Sequence, residues 1–369
     1  FAKRLVSIAF TSCLFGRKKA VVAADVDIQL AYASGSSSTL SVPSPSLSND
    51  LRINKQSTIF FFTLLMASSI TLVGIALTIA LSFHLCLAAR ELASPEDPPS
   101  ALSYHRGPLL TGKISVNLIW YGDFKPPQRA IVLDFLYSLS APADGKPNVA
   151  TWWKGTDRYY TTLKSPPLHL SVGRQISDGR YSMGKKLSSE QIVELASKGG
   201  EKNAINVVLT AADVAVDGFC SIKCGSHGIG KGPSSKMAYI WVGNAEVQCP
   251  GHCAWPFHKP IYGPQSPPLI APNNDVGMDG VVTNLATLMV GAVTNPFGNG
   301  YFQGTKEAPM EASSGCSGVY GKGAYPGYAG DLLVDSSSGA SYNARGINGR
   351  KYLLPAMMNP GTSTCATLV

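Results

Sequence analysis

The strongest constraint in this chain is a repeated sulfur pattern. An apolar run at 205–209 (INVVL) and a second at 237–242 (MAYIWV) have the β-branched and aromatic content of buried strands. Each is followed by a Cys-x3-Cys pair, Cys220 and Cys224 after the first, Cys249 and Cys253 after the second. A Gly/Ser/Lys-rich bend separates Gly228 from Met237. Cysteine pairs at matching offsets behind two core strands leave two arrangements: they bridge one another, or they hold a metal. His227, His252 and His258 stand close enough in sequence to serve a zinc site. Structural zinc sites usually have closer cysteine spacings and occur inside cells, so the compartment bears on the choice.

The compartment is read from the N-terminal ninety residues. No Asp, Glu, Lys or Arg occurs from Ser57 to Ala89, a stretch long enough to span a bilayer. In one reading it is a membrane anchor with Arg52 and Lys55 on the cytosolic side. In the other, translation starts at Met66, and MASSITLVGIALTIALSFHLCLAAR is a secretory signal peptide cleaved near Ala88 or Ala89. The second reading is favoured, because the chain opens on Phe1 and its Ser-rich stretch at 34–48 has no core-forming pattern. The expected organisation is 1–65 as a disordered upstream extension, 66–89 as signal peptide and 90–369 as one domain, with no stable membrane insertion after cleavage. Cleavage would remove Cys13 and Cys86 and leave Cys220, Cys224, Cys249, Cys253, Cys316 and Cys365. An even number in an exported chain points to disulfides. Closing Cys316 with Cys365 would tie down the C-terminus, leaving the other four to pair among themselves.

The remainder reads as alternating strands and helices. Strands are expected at 113–121, 169–176, 205–209 and 237–242, and helices at 128–140, 149–160 and 190–197. Residues 91–108 read as a loose arm. After Phe257 the pattern changes to Pro/Gly-rich loop (IYGPQSPPLIAPNND), then a helix over 276–294, then a Gly/Tyr/Ser-rich tail with short strands near 331–334 and 351–354. The expected fold is α/β: a single layered domain with a mixed sheet, flanking helices and a loop-rich C-terminal third. Of the net charge of +8, residues 1–89 carry seven Lys/Arg and three Asp, so the rest is only +4. No element concentrates Lys or Arg, which argues against nucleic-acid binding and leaves adhesion to an acidic polymer as a weak reading.

Catalytic motifs are missing: there is no G-x-S-x-G elbow, P-loop or H-E-x-x-H. Asp213 and Asp217 follow a strand and Asp275 and Asp279 precede a helix, so either pair could supply acid and base for glycoside hydrolysis if the carboxyls faced each other. The plainer reading has Asp275 and Asp279 favouring a helix N-terminus and Asp213 and Asp217 shaping turns. The helix ending NLATLMVGAVTNP resembles a zinc-metallopeptidase helix of the form H-E-x-x-[HE]-A-x-T-D-P. In that alignment the ligand, base and second-ligand positions fall on Thr287, Leu288 and Gly291, none of which can coordinate zinc or activate water. The likeness implies a degenerate metallopeptidase-like fold, by analogy alone.

Several long stretches carry a family resemblance. They are GPLLTGKISVNLIWYGDFKPPQRAIVLDFLYSL, VVLTAADVAVDGFC, YIWVGNAEVQCPGHCAWPFHKPIYGPQSPPLIAPNNDVGMDG, AVTNPFGNGYFQG, GVYGKGAYPGYAGDLLVD and NGRKYLLPA. In these the chain resembles the plant EXORDIUM-like (phosphate-induced) family of secreted proteins. The M-A-S start and L-A-A-R end of Met66–Arg90 fit that family too, and residues 1–65 depart from it. The resemblance implies an extracellular, apoplast or cell-wall protein associated with hormone-responsive cell expansion and growth. It brings no catalytic residue, metal or cofactor. The expectation is therefore a non-enzymatic protein that binds a wall polysaccharide or a surface receptor, with the loops 255–274 and 320–328 as candidate surfaces because exposed Tyr and Trp suit such contacts. A wall-modifying hydrolase built on the paired carboxylates is the alternative.

Overall fold

The computed structural model describes residues 101–369 except 144–145, 162, 164–165, 167, 201–202, 222, 232–235 and 265. The expectations for the extension at 1–65, the leader at 66–89 and cleavage at Ala88 or Ala89 lie outside the described residues. The chain enters through β1 (Ser103–Tyr104), which pairs antiparallel with 301–302. The end of the expected loose arm is therefore held: Leu102 is buried and the His105 ring stacks on Phe302 at 3.7 Å. Two apolar or aromatic anchors are enough to order a segment whose composition is otherwise that of a linker.

The centre is a five-stranded sheet. β2 (Gly112–Tyr121) and β3 (Leu168–Asp178) run parallel. A separate small parallel pair joins β4 (Lys186–Leu187) to β6 (Ala215–Val216). β5 (Ala204–Thr210) lies on the other side of β2, followed by β8 (Lys236–Gly243), both parallel to it. β7 (Gly225–Lys231) closes the edge antiparallel to β8, giving the order β3-β2-β5-β8-β7. All seven residues of β5 are buried. A strand with neighbours on both edges and helices over both faces must be apolar throughout, which is why it reads as a continuous run without alternation.

β7 corrects the expected bend. Three of its seven residues are glycine, and intrinsic preference argues against a strand. Its pairing comes wholly from β8, and the glycines make room for the helices. A Cβ on Gly225 would lie 2.7 Å from Leu288, and one on Gly230 would lie 2.6 Å from Val193. Those two positions face opposite sides of the sheet, so β7 is gripped from both.

Helix α1 (Pro126–Ser138) starts with prolines in its first turn, where no N–H is needed. The expected helix at 149–160 is divided into α2 (Val149–Trp153), a 3-10 turn (Lys154–Thr156) and α3 (Asp157–Thr161). The break falls at Gly155, a poor helix former. α4 (Ser189–Ser197) begins with a capping box between Ser188 and Gln191 and ends before Gly200, whose φ of +67° closes it. α5 (Pro250–Cys253) is a single turn. α6 (Val276–Thr294) has 15 of its 19 residues buried and is capped by Asp275, which accepts the Met278 N–H at 2.9 Å. Among the described residues it is the one helix long and apolar enough to cross a membrane, and it is the core helix of the fold, 78% buried over its most apolar stretch.

Beyond α6 regular structure dwindles. β9 (Tyr301–Gln303) and β10 (Met310–Glu311) extend the β1 pairing, and the strands after them have two residues each. Buried side chains knit this third together. Asn343 donates to the carbonyls of Tyr320 and Leu354 and accepts the Leu354 N–H, while Tyr352 donates to the Ile131 carbonyl and Asp134. The architecture is mixed α/β around a mixed sheet.

Candidate binding groove

The six cysteines of the described chain join as Cys220–Cys249, Cys224–Cys253 and Cys316–Cys365. The first two bonds act as rungs. They fasten α5 and the turn before it to the loop between β6 and β7, with Cα–Cα separations of 5.6 and 5.3 Å. The equal 29-residue separations are the structural meaning of the matching Cys-x3-Cys offsets. His252 stands beside the second rung, its ring nitrogen within 4.8 Å of both sulfurs. Sulfurs bonded to one another offer no thiolate, so this grouping lacks the ligands zinc requires. His227 and His258 are engaged elsewhere, with Glu311 and the Lys259 carbonyl.

Immediately after this braced turn the chain forms one wall of a groove of about 480 Å³. Trp255 is half-buried on a small satellite core of Phe257, Ala271, Tyr320, Ala329 and Leu353, its ring 5.8 Å from that of Tyr320. Ile261, Tyr262 and Pro264 continue the wall. The opposite wall is Tyr325, Pro326 and Gly327, presented by a tight reversal in which Tyr325 and Tyr328 exchange both main-chain hydrogen bonds, at 3.1 and 2.8 Å. The walls meet where Gly327, at φ +92°, lies against Pro264. A Cβ there would fall 2.7 Å from the proline ring, so both the backbone sign and the close approach call for glycine. The Ser266 hydroxyl donates to the Gly327 carbonyl at 2.8 Å and clips the two loops together. Ser317, Gly318 and Val319 complete the lining behind Cys316.

The loops 255–274 and 320–328, proposed from composition, thus converge on one concavity. The Ser317–Val319 side is not expected from composition; its one signal in the sequence is adjacency to Cys316. His252, weighed above only as a zinc ligand, lines the groove exposed to solvent. Burial holds the Tyr320 hydroxyl well above its usual range, and the hydrogen bond to Asp331 raises that of Tyr328.

None of the four candidate carboxylates is among the described lining residues. Asp213 is exposed, bonded to Lys185 and to the Tyr181 hydroxyl, and the Lys185 ammonium lowers its pKa. Asp217 is exposed on the strip after β6. Asp275 caps α6 and accepts from Gln128. Asp279 is buried and accepts from both the main-chain and side-chain nitrogens of Asn273, at 2.8 and 2.6 Å. Desolvation outweighs those donors and pushes its pKa to about 7.

On α6, the Thr287 hydroxyl bonds back to the Thr283 carbonyl, and Leu288 presses on Gly225. Gly291 faces His227 and Glu311, which pair at 2.7 Å across a gap that a Cβ would fill. Asn295 donates to the other Glu311 oxygen. This cluster joins residues 84 positions apart and had no signal in the sequence.

Fold and groove define a disulfide-braced mixed α/β protein with an aromatic cleft on its loop side. The phosphate-induced protein 1 conserved region matches residues 102–368. The chain is 62% identical over 304 residues to Protein PHOSPHATE-INDUCED 1 of Nicotiana tabacum, covering 79% of this chain and 97% of that protein. It is 60% identical over 299 residues to Protein EXORDIUM of Arabidopsis thaliana, covering 78% and 95%, and 58% identical over 305 residues to Protein EXORDIUM-like 1 of the same plant, covering 80% and 98%. The chain belongs to this phosphate-induced, EXORDIUM-like family. No solved structure matches it.

Proposed function

We propose that this is a secreted, non-catalytic protein of the plant apoplast that takes part in growth and cell expansion by binding a wall component or surface receptor through the groove. The observation that carries this is the convergence of two separate aromatic loops on one braced concavity, with Tyr262 81% and Tyr325 64% exposed. Exposed rings grouped on one concave face, unlike scattered ones, mark surfaces that a partner covers. Export is supported by the six paired cysteines, which need an oxidising compartment. The absence of a carboxylate from the described lining supports binding over hydrolysis.

The same proposal reads the scaffold as metallopeptidase-like with its catalytic positions given up. The mixed strand order with an antiparallel edge, followed by the long helix α6, supports this. So does the fate of Thr287, Leu288 and Gly291, which serve hydrogen bonding and packing. The test is retention of the mature protein on isolated cell walls. Wild type should be retained and the Tyr262→Ala, Tyr325→Ala double variant should wash through. Turnover of wall glycan by the wild type that vanishes in Asp213→Asn or Asp279→Asn would replace binding with catalysis.

A further inference from the structure

The groove's lining bears on what it binds, an inference that rests on the binding role proposed above. Among its described lining residues there is no Asp, Glu, Lys or Arg. An acidic polymer moved into this cleft would lose hydration without a cationic partner, a cost that neutral ligands avoid. The mildly basic surface of the whole chain therefore does not describe the groove.

The lining divides into ring faces and hydrogen-bonding edges. Trp255, Tyr262 and Tyr325 offer faces. His252, Ser317 and the tyrosine hydroxyls offer polar atoms beside them. Pro260, Pro264 and Pro326 bring carbonyls to the walls but no N–H. A proline-rich peptide in an extended helix could accept from those hydroxyls, but with few N–H groups it has almost nothing to donate to the wall carbonyls. A chain of hydroxylated rings is the better complement. Each hydroxyl both donates and accepts, and the apolar C–H face of each ring can lie on an aromatic face. The volume of about 480 Å³ is that of a small-ligand site rather than of a protein footprint.

We infer that the groove takes a short segment of a neutral glycan, with Tyr262 and Tyr325 as stacking residues on opposite walls and Trp255 on the same wall as Tyr262. The test is calorimetric titration of the mature, oxidised protein with neutral hexose oligomers (cello-, manno- and galacto-oligosaccharides), with an oligogalacturonide, and with an oligoproline peptide. At least one neutral oligomer should bind with an affinity indifferent to added salt. Tyr262→Ala and Tyr325→Ala should each weaken it by roughly two- to tenfold, with the thermal midpoint unchanged because both rings are exposed. Tighter binding of the oligogalacturonide that fades with salt, or of the oligoproline, overturns the inference. So does wild-type affinity in both variants, or failure of every neutral oligomer. Retention on cell walls combined with that failure sinks only the ligand assignment; loss of wall retention sinks the binding role as well.

Discussion

Two regions of this molecule reach order by different means. In the sheet and α6, long apolar runs are buried to completion: Leu118, Ile119, Val207, Val208, Ile240 and Leu285 have no exposed surface. Apolar burial of this kind contributes about 25 cal/mol per Å² and needs no particular partner. The region after α6, with the 255–274 loop, has strands of two or three residues; it reaches the main core through side chains such as Tyr301, Tyr352, Leu354 and Met357 and adds a satellite core of five. There the backbone is held by specific acceptors and donors such as Asn343, and by the Cys316–Cys365 bond. A region held this way can expose its aromatics without collapsing onto them. That separation is what allows a rigid scaffold to present a groove from loops.

Reduction should separate the two regions most sharply. For a loop of 29 residues the chain-entropy account of a disulfide gives about 3.6 kcal/mol, and somewhat more for 49. In reduced protein, hydrogen exchange should accelerate at 251–264 and 314–330 while the amides of β5 and β8 stay protected. Uniform loss of protection across β5 and β8 would mean that the sheet depends on the bridges as much as the groove does.

The same contrast governs what could be read in advance. The strands at 205–209 and 237–242 and the helix Val276–Thr294 were legible because their apolar runs outlast any local ambiguity and their ends carry turn or capping residues. β7 was not, since a glycine-rich edge is a strand only when β8 and two helices surround it. The groove was half legible. Exposed tyrosines among Pro and Gly marked both loops, but nothing local shows that Gly327 meets Pro264 or that Ser317–Val319 closes the side. Both follow from long-range closure. For the carboxylates the plainer reading holds at Asp275, which caps α6, but spacing along the chain says nothing about whether a carboxyl is buried, as Asp279 is, or paired at the surface, as Asp213 is.

Asp279 sits at the seam, on α6 of the scaffold but bonded to Asn273, which in turn donates to the Lys351 carbonyl and accepts from Arg350. Its pKa is raised from 3.8 to about 7 in the fold. The folded protein therefore holds a proton that the unfolded chain releases between these values. The stabilisation is complete below the unfolded pKa and is lost as pH rises towards 7, where it levels off. The full shift corresponds to about 4 kcal/mol. Thermal midpoints should fall from pH 4 to pH 7 in the wild type, and Asp279→Asn, which cannot ionise, should remove most of that slope. An identical slope in the variant would show that Asp279 stays ionised, its two amide donors having won over burial.

The smallest effect is expected at the other carboxylate, Asp213. Its pKa is lowered, first by the hydrogen bond from Lys185, and so its stabilisation is present above the unfolded pKa and lost as pH falls through the folded one, the opposite sign to Asp279. Both partners of this pair are about half exposed, and water and salt screen such charges almost completely. Lys185→Ala should leave the thermal midpoint at neutral pH unchanged within error, at low and high salt alike. It should also leave wall retention unchanged, because Asp213 and Lys185 are outside the described lining of the groove. A clear loss of retention in that variant would move the binding face from the loop side to the end of the sheet, and the division between scaffold and presenting loops would have to be redrawn.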